Sequence, residues 1–571
     1  MKNRIIDYII ILVFAIVISI PLMSADFNIY GDDGIQHIAR LMGTYQTITE
    51  GEFPPVIMSN FCNGFGYSWN IFYSPFTAYL PLIFSIFTNS FELMLKLFII
   101  LVAFLSGIAM YEFVKKVSKN RYAGLLAAAI YVFAPYRLTD TYMRVAISEL
   151  ASFIFIPITF LGMYNIFNSE EKSIKSSLML TLGAVGLIIT HTVITMYVAI
   201  FCFIYLLLNI KSLKDKQVLK ALGLNILLII LLSSFFIIPL LEHYLSADYE
   251  VFVPGRMERT SELIRNKVEP LDLVYTEDNQ FCFEIGLVTT IGIVLTLLAF
   301  NKVEKRNRKI YWFSFVAGIV CIIMSLKFFP FENLPSILKM IQFTFRLLEF
   351  STFFLAFFAA YNYALVIKNF NMRDAVILSI VAFLLIVPLK KNLNFEKRWS
   401  EDMLWPAVGV NDNTKRVHAG CATFEYLPSK AFENLDYLKH REDKVYVIEG
   451  DATISNEEKN GTNMTFEIES IEDNVKLELP YIYYLGYTVE ITNDNGETKE
   501  LETYESGNGF VAFDVSAADV GTVTVKYTGT VLMKISYAIS AITFVGIVVW
   551  LVVSKIRQNR RTSFNKGNNN R

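Results

Sequence analysis

The chain has 571 residues, 54% of them hydrophobic and 18% charged, with a formal net charge of −2. A soluble globular protein carries about one quarter charged residues, so the composition excludes that class. The net charge says nothing about partners, and no nucleic-acid partner is expected. Apolar runs of ~17–25 residues recur, each long enough to cross a ~30 Å hydrocarbon core. Lipid satisfies backbone polar groups only inside helices or closed barrels, and runs of this kind read as helices.

The first run, 5–23, follows Lys2 and Arg4. No small-x-small cleavage site closes it and many spans follow, so it reads as a retained anchor rather than a signal peptide. Further spans are expected at 91–114, 122–134, 146–167, 178–190, 192–208, 221–241, 285–300, 311–326, 351–366, 375–389 and 531–553, about a dozen in all. The stretch 75–87 is apolar but short, and reads as re-entrant, interfacial or an extra span. Alternate loops are basic: Lys115, Lys116, Lys119 and Arg121; Lys172 and Lys175; Lys211, Lys214, Lys216 and Lys220; Lys302, Lys305, Arg306, Arg308 and Lys309; Lys368 and Arg373. Lys555, Arg557, Arg560 and Arg561 follow the last span. Basic loops stay cytoplasmic, which places both termini inside a bacterial plasma membrane provided that 75–87 does not cross. The outer side then holds 24–90, 135–144, 242–283, 328–349 and 390–529. The inner loops are short and lack a glycine-rich phosphate loop, so any chemistry belongs outside.

The expected domains are a transmembrane unit over 1–389 with its outer loop 24–90, an outer β-rich domain over 390–529, a last transmembrane helix over 530–554 and a basic cytoplasmic tail over 555–571. Alternation in Met464-Thr-Phe-Glu-Ile-Glu, Val475-Lys-Leu-Glu-Leu and Val523-Thr-Val-Lys-Tyr reads as strands, and Asn495-Gly496 suits a hairpin turn. Short strands at close spacing point to a β-sandwich or jelly roll. The Asn-rich end after Ser563 reads as disordered. The five cysteines have neither zinc spacing nor a disulfide framework and read as small buried residues.

The most informative stretch is Tyr30-Gly-Asp-Asp-Gly-Ile-Gln-His-Ile-Ala-Arg40. Wound as a helix from Asp33, it places Asp33, His37 and Arg40 on one face and Ile35, Ile38, Met42 and Tyr45 on the other. Such a helix would lie in the membrane interface, polar face toward water or a cleft. A helix cap at Asp32 and Asp33 and a solvated face would explain the same residues. A second cluster gathers Arg137, Asp140, Arg144 and Glu149 in one outer turn, where a salt-bridge cluster at span ends is the plainer reading. His191 sits in a tight outer hairpin and reads as structural. Arg346, with Glu349 after it, starts another span and either binds a lipid phosphate or anchors the helix.

One span followed by an outer Gly-Asp-Asp and a His–Arg pair on a juxtamembrane helix resembles the GT-C superfamily of membrane glycosyltransferases. More closely, Asp33…His37…Arg40, Glu52-Phe-Pro, Tyr142-Met-Arg144…Glu149, Gln342-Phe…Arg346 and Glu425-Tyr-Leu-Pro428 resemble the bacterial 6-pyruvoyl-tetrahydropterin-synthase-related membrane proteins. These are similar in layout to GT-C proteins that glycosylate lipoteichoic acid. No pterin-synthase chemistry is visible. The sequence departs from the pattern at Phe343-Thr344-Phe345, where Pro and Trp are expected beside the arginine.

The resemblance implies transfer of a sugar from a polyprenyl-phosphate donor to a glycan or glycopolymer acceptor of the cell envelope, on the outer face of the bilayer. It implies Asp33, or alternatively Asp32, as the base. Arg144 and Arg346 would meet the donor phosphate, Glu149 would hold Arg144, and His37, Arg40 and Arg137 would complete the substrate site. No cofactor is evident, and a divalent metal stays open without a visible ligand set. The rival readings are a lipid-linked-glycan transporter or flippase and a non-catalytic envelope-assembly protein. A transporter would place ionisable residues near the bilayer midplane, whereas here they cluster at span ends.

Overall fold

The computed structural model describes residues 2–568 except 25, 26, 28, 30, 169–173, 254–259, 277–280, 387–420, 422–423 and 472–473. Tyr30, Lys172, the end of the expected span 375–389 (387–389) and the start of the expected β domain (390–420) therefore lie outside the described residues. The helices are α1 (Lys2–Ser19), α2 (Gly34–Thr49), α3 (Phe91–Ser118), α4 (Arg121–Val132), α5 (Ile147–Phe167), α6 (Ile174–Ile188), α7 (Thr192–Leu208), α8 (Lys216–Ser246), α9 (Leu287–Val294), α10 (Arg308–Ser325), α11 (Leu347–Val366), α12 (Met372–Ile386) and α13 (Val531–Asn568). Short turns of helix join them.

Among the described residues, seven helical segments are long and apolar enough to cross a membrane: Asn3–Met23, Phe91–Ser118, Ile147–Phe167, Lys216–Ser246, Lys305–Ser325, Thr344–Val366 and Val531–Arg557. Helices also form at the other five expected spans, but they are shorter. The 12 residues of α4 reach only about 18 Å at 1.5 Å per residue. This helix is buried almost throughout, because it packs against α3 and α11 rather than facing lipid. The stretch 75–87 forms one helical turn and a 3₁₀ segment, Leu80–Ile86, with Ile83, Ile86 and Phe87 exposed. Its length does not span a bilayer, and its exposed apolar face suits the interface. The last helix, α13, runs past Ser563 to Asn568.

The basic turns meet at one end of the bundle. Arg4 pairs with Glu112 at 2.9 Å and Arg121 with the buried Asp7 at 2.5 Å. Lys119 faces Glu304 at 3.8 Å, Lys309 donates to Asn209, and Lys302 donates to the Leu365 carbonyl. The turns near residues 31, 76, 139, 190 and 282 meet at the other end, through the bonds Asp33 to Arg144, Phe76 to Ile189 and Thr139 to Cys282. Segregation of Lys and Arg to one end is the pattern that sets membrane orientation.

Beyond the second end lie two layers. The outer one is a β-sandwich of all-antiparallel sheets. One has order β1-β4-β8-β7 and the other β2-β3-β9-β5-β6, spanning β1 (Tyr446–Glu449), β2 (Ala452–Asn460), β3 (Asn463–Ile471), β4 (Val475–Ile482), β5 (Tyr487–Thr492), β6 (Thr498–Leu501), β7 (Thr503–Glu505), β8 (Phe510–Val515) and β9 (Gly521–Tyr527). Alternate side chains such as Met464, Phe466, Leu477, Val489, Phe513, Val523 and Val525 fill the space between the sheets. Asn495-Gly496 forms the tip between β5 and β6, with Gly496 at φ +80°.

Between sandwich and bundle, the outer loop builds a second core. Ile57, Met58, Phe61, Phe65, Tyr67, Trp69 and Phe72 pack against Tyr249, Phe424, Tyr426, Leu438, Tyr484 and Phe510. Cys421 and the described residues from Phe424 to Leu438 thus belong to this middle layer rather than to the sandwich. Glu52 fastens the layer from below, accepting from the Thr462 amide at 3.0 Å and its hydroxyl at 2.7 Å.

Candidate active site

The candidate site lies where the middle layer meets the bundle. Its floor is the turn Thr139–Arg144, wound wider than an α-helix and ended by Val145 at φ +53°. The Gly31-Asp32-Asp33-Gly34 segment docks on that turn. The Asp32 and Asp33 amides donate to the Met143 and Arg144 carbonyls at 3.3 and 2.7 Å. Both glycines are needed for the approach. A Cβ on Gly31, itself at φ +46°, would come within 2.6 Å of Val145 and 2.9 Å of the Arg144 carbonyl. A Cβ on Gly34 would overlap the Ile29 carbonyl.

This docking sets the acidic pair against Arg144. Asp33 occupies the position before α2, yet its carboxylate makes no cap bond and lies 3.4 Å from Arg144 Nη2 instead. Arg144 also reaches Asp140 at 2.6 Å and Glu149 at 2.9 Å. Glu149 accepts from Arg346 Nε at 2.8 Å and from the Tyr136 hydroxyl. Arg346 completes its bonding with the Ile341 carbonyl and Gln342. The rings of Phe343 and Phe345 are parallel and 5.2 Å apart; Phe343 lies against both arginines and Phe345 against Arg144. Aromatic faces therefore cover the guanidinium groups even though Phe replaces the expected Trp.

Asp33, Arg144, Glu149 and Arg346 thus form one continuous network. Asp140 belongs to it, and Glu349 lies beside it, accepting from Ser152. Burial, and then Glu149, push Asp140 well above the ordinary carboxylate range. Asp33 retains 45% side-chain exposure. The burial of its surroundings raises its pKa, and Arg144 and Arg346 pull it partly back.

Arg137 stands apart, contrary to expectation. It points into the bundle, donating to Ser106 at 3.0 Å and lying over Phe153. The Thr141 hydroxyl donates to the Arg137 carbonyl. Positions 137 and 144, seven apart, would share a face of a regular α-helix, but the wider winding of Thr139–Arg144 rotates them apart. Burial lowers its pKa to about 10.

The polar face of α2 is not solvated either. His37 and Arg40 are buried under the middle layer. Arg40 lies over Tyr73, 4.5 Å from the ring centroid, and near Trp69 and Tyr426, with Glu425 at 3.6 Å. Among the described residues its Nε has no hydrogen-bond partner. Burial, then Arg40 and His191, hold His37 well below the ordinary histidine pKa, so it is neutral at pH 7. Burial and Arg346 lower His191 from 6.5 to about 3. His191 therefore faces the network, although its position in a hairpin gave no sign of this. Tyr73 is close enough to Arg40, Asp33 and Arg346 for each to affect its ionisation. The signal for Tyr73 was the density of aromatics in Tyr67-Ser-Trp-Asn-Ile-Phe-Tyr73, too high for a solvated loop.

An apolar groove of about 320 Å³ opens beside the site, between the end of α4, α9 and α12. Ile130, Phe133, Val288 and Leu385 line it, Glu284 marks its polar end, and a smaller cavity continues from it to Tyr136. Among the described residues no group of three or more His, Cys, Asp or Glu side chains is arranged to hold a metal ion.

The family described as "6-pyruvoyl-tetrahydropterin synthase related domain; membrane protein" matches residues 71–395, more than half of the chain. The chain belongs to this family. The match covers Arg144, Glu149, His191 and Arg346, whereas Asp33, His37 and Arg40 precede it. A Lactococcus lactis subsp. cremoris (strain MG1363) relative called "Uncharacterized protein" is 27% identical over 600 residues, covering 98% of this chain and 97% of that one. Its full-length match includes the α2 region and the sandwich. Among solved structures, the arabinofuranosyltransferase AftD from Mycobacteria aligns with 68% of this chain at 11% identity and a TM-score of 0.42. The aligned part is 27% of that longer protein.

Proposed function

We propose that this family member is a GT-C-type membrane glycosyltransferase, moving a sugar from a polyprenyl-phosphate donor to a cell-envelope glycan or glycopolymer on the outer face of the plasma membrane. The observation that carries the reading is Asp33: a half-exposed carboxylate at the bundle's outer end, diverted from helix capping to Arg144.

In the proposed reaction the acceptor oxygen attacks the anomeric carbon. The bond from that carbon to the phosphate oxygen breaks, and the phosphate leaves with the electron pair. Asp33 takes the hydroxyl proton as the oxocarbenium-like centre forms, with inversion. A raised Asp33 pKa makes it a better proton acceptor than an ordinary carboxylate. The cationic wall of Arg40, Arg144 and Arg346 meets the leaving phosphate. Arg144 already donates to carboxylates and Arg346 to Glu149, the Ile341 carbonyl and Gln342, so Arg40, whose Nε has no partner among the described residues, is the cation with most to offer. Neutral His37 orients the base or the acceptor hydroxyl. Asp32 is the alternative base. The apolar groove beside Tyr136 takes the first part of the polyprenyl chain.

One observation favours a second reading, the non-catalytic assembly protein: Arg144 is satisfied by three carboxylates, as in a structural ion cluster. Purified protein incubated with a panel of polyprenyl-phosphate sugars and envelope glycopolymers separates the two. Transfer supports the enzyme. No release of polyprenyl phosphate and no labelled polymer across the panel supports the assembly role.

A further inference from the structure

Two of the five cysteines, 359 residues apart, face each other in the middle layer. The Cys62 and Cys421 sulfur atoms are 3.0 Å apart and both residues are fully buried. That separation is inside the ~4.0–4.5 Å of ordinary side-chain contact, and a disulfide bond requires about 1 Å more of approach, to ~2.05 Å. Each cysteine is held by hydrogen bonds to its own carbonyl. Cys62 sits in a tight turn at φ +51° and accepts from the Phe65 amide at 3.1 Å. Cys421 accepts from the Phe424 amide at 2.8 Å and from the Tyr67 hydroxyl at 3.2 Å. The same Tyr67 oxygen receives the Tyr426 amide at 3.0 Å, so one side chain from the outer loop holds the Cys421 segment in register. No third ligand joins Cys62 and Cys421 in a metal-binding group among the described residues.

We propose that Cys62 and Cys421 form a disulfide in the mature protein, locking the first outer loop to the segment that leads into the β-sandwich. Both cysteines lie on the side away from the basic turns, the compartment where disulfides persist. The bond forms by exchange with a disulfide-carrying thiol oxidant before the layer closes. One thiolate attacks the oxidant to give a mixed disulfide, and the second then expels the oxidant's thiolate. Two protons and two electrons leave the protein, and the oxidant is reduced to its dithiol. The lock also bears on the candidate site. Trp69, Tyr73, Glu425 and Tyr426, which surround Arg40, come from the two segments that it joins.

The test is made on the full-length protein in its native membrane. Free thiols are trapped with N-ethylmaleimide during denaturing lysis, and an unreduced digest is analysed by mass spectrometry. The expected result is a linked peptide pair containing Cys62 and Cys421, with Cys202, Cys282 and Cys321 alkylated. The linked pair should vanish on reduction and in Cys62→Ser, where Cys421 becomes alkylated. A Cys62→Ser/Cys421→Ser protein should also lose the reductant dependence of its protease resistance. Recovery of both cysteines as alkylated free thiols would overturn the proposal. An accompanying Asn495→Cys variant, labelled from outside intact cells with an impermeant maleimide, reports orientation separately. Free Cys62 and Cys421 beside a labelled Asn495→Cys therefore count against the disulfide alone.

Discussion

The Asp33 carboxylate lies 3.4 Å from Arg144, a residue 111 positions further along the chain, and the same arginine lies 2.9 Å from Glu149. Asp33 comes from the helix that follows the first span, and Arg144 from the turn between α4 and α5. Their meeting makes one site from two segments that could otherwise be independent salt-bridge clusters.

The docking depends on Gly31. Gly31→Ala places a methyl group against Val145 and the Arg144 carbonyl in a left-handed backbone conformation. Strain of this kind costs about 1–3 kcal/mol. The melting midpoint of detergent-solubilised Gly31→Ala should fall, and any transfer activity should fall with it. An unchanged midpoint would mean that the segment is not seated on the turn as described.

The ion network makes a second prediction. Glu149 is buried between Arg144 and Arg346, and removing one charge from such a cluster leaves the others uncompensated. Glu149→Gln should destabilise the protein by about 3–5 kcal/mol. Thermal unfolding followed by size-exclusion fluorescence measures it. A loss well below 1 kcal/mol would show that Glu149 is already neutral or hydrated.

Both site regions could be picked out along the sequence, because carboxylates, His and Arg are conspicuous beside apolar runs. Their joining was implied by the family resemblance and not by the residues themselves, since it depends on Gly31 fitting against the 143–145 turn. The polar face of α2 could be read from its periodicity, but its burial could not, because the covering aromatics come from positions near 70 and 425. Cys62 and Cys421 are too far apart for spacing to pair them. Arg137 misled for the opposite reason: it neighbours Arg144 along the chain, while the wider winding of 139–144 takes the two side chains to different sides. The strands were plain from two-residue alternation. Seven spans were plain from length. The short buried helix α4 shows the limit of hydropathy, which registers an apolar helix without distinguishing lipid from protein as its surroundings.

Orientation gives a third prediction. Asn495→Cys should react with an impermeant maleimide in intact cells, whereas Lys116→Cys should react only after permeabilisation. Both positions are exposed, and the native cysteines are buried or partly buried, so background is low. The reverse pattern would invert the assignment of the outer face.

The fourth prediction concerns pH. His191 has a folded pKa of about 3 against an ordinary 6.5. A group whose pKa is lowered on folding binds more protons when unfolded, so stability rises with pH. The contribution of His191 is complete above pH 6.5 and is lost as the pH falls toward 3. His191→Asn, which keeps a short polar side chain at the helix start, should flatten the fall in melting midpoint between pH 6.5 and 5. An unaltered slope would remove His191 from the buried network.

The most direct test of the central claim is transfer by Asp33→Asn. The substitution preserves size and removes the base, and because Asp33 makes no cap bond but pairs with Arg144, a merely structural role would show as lost stability rather than as lost turnover at matched stability. Wild type and variant, purified in parallel and matched in melting midpoint, are compared on the best polyprenyl-phosphate sugar from the panel. Turnover should fall by about 10²–10⁴-fold with donor binding retained. Turnover equal to wild type in a normally folded Asp33→Asn protein would contradict the claim.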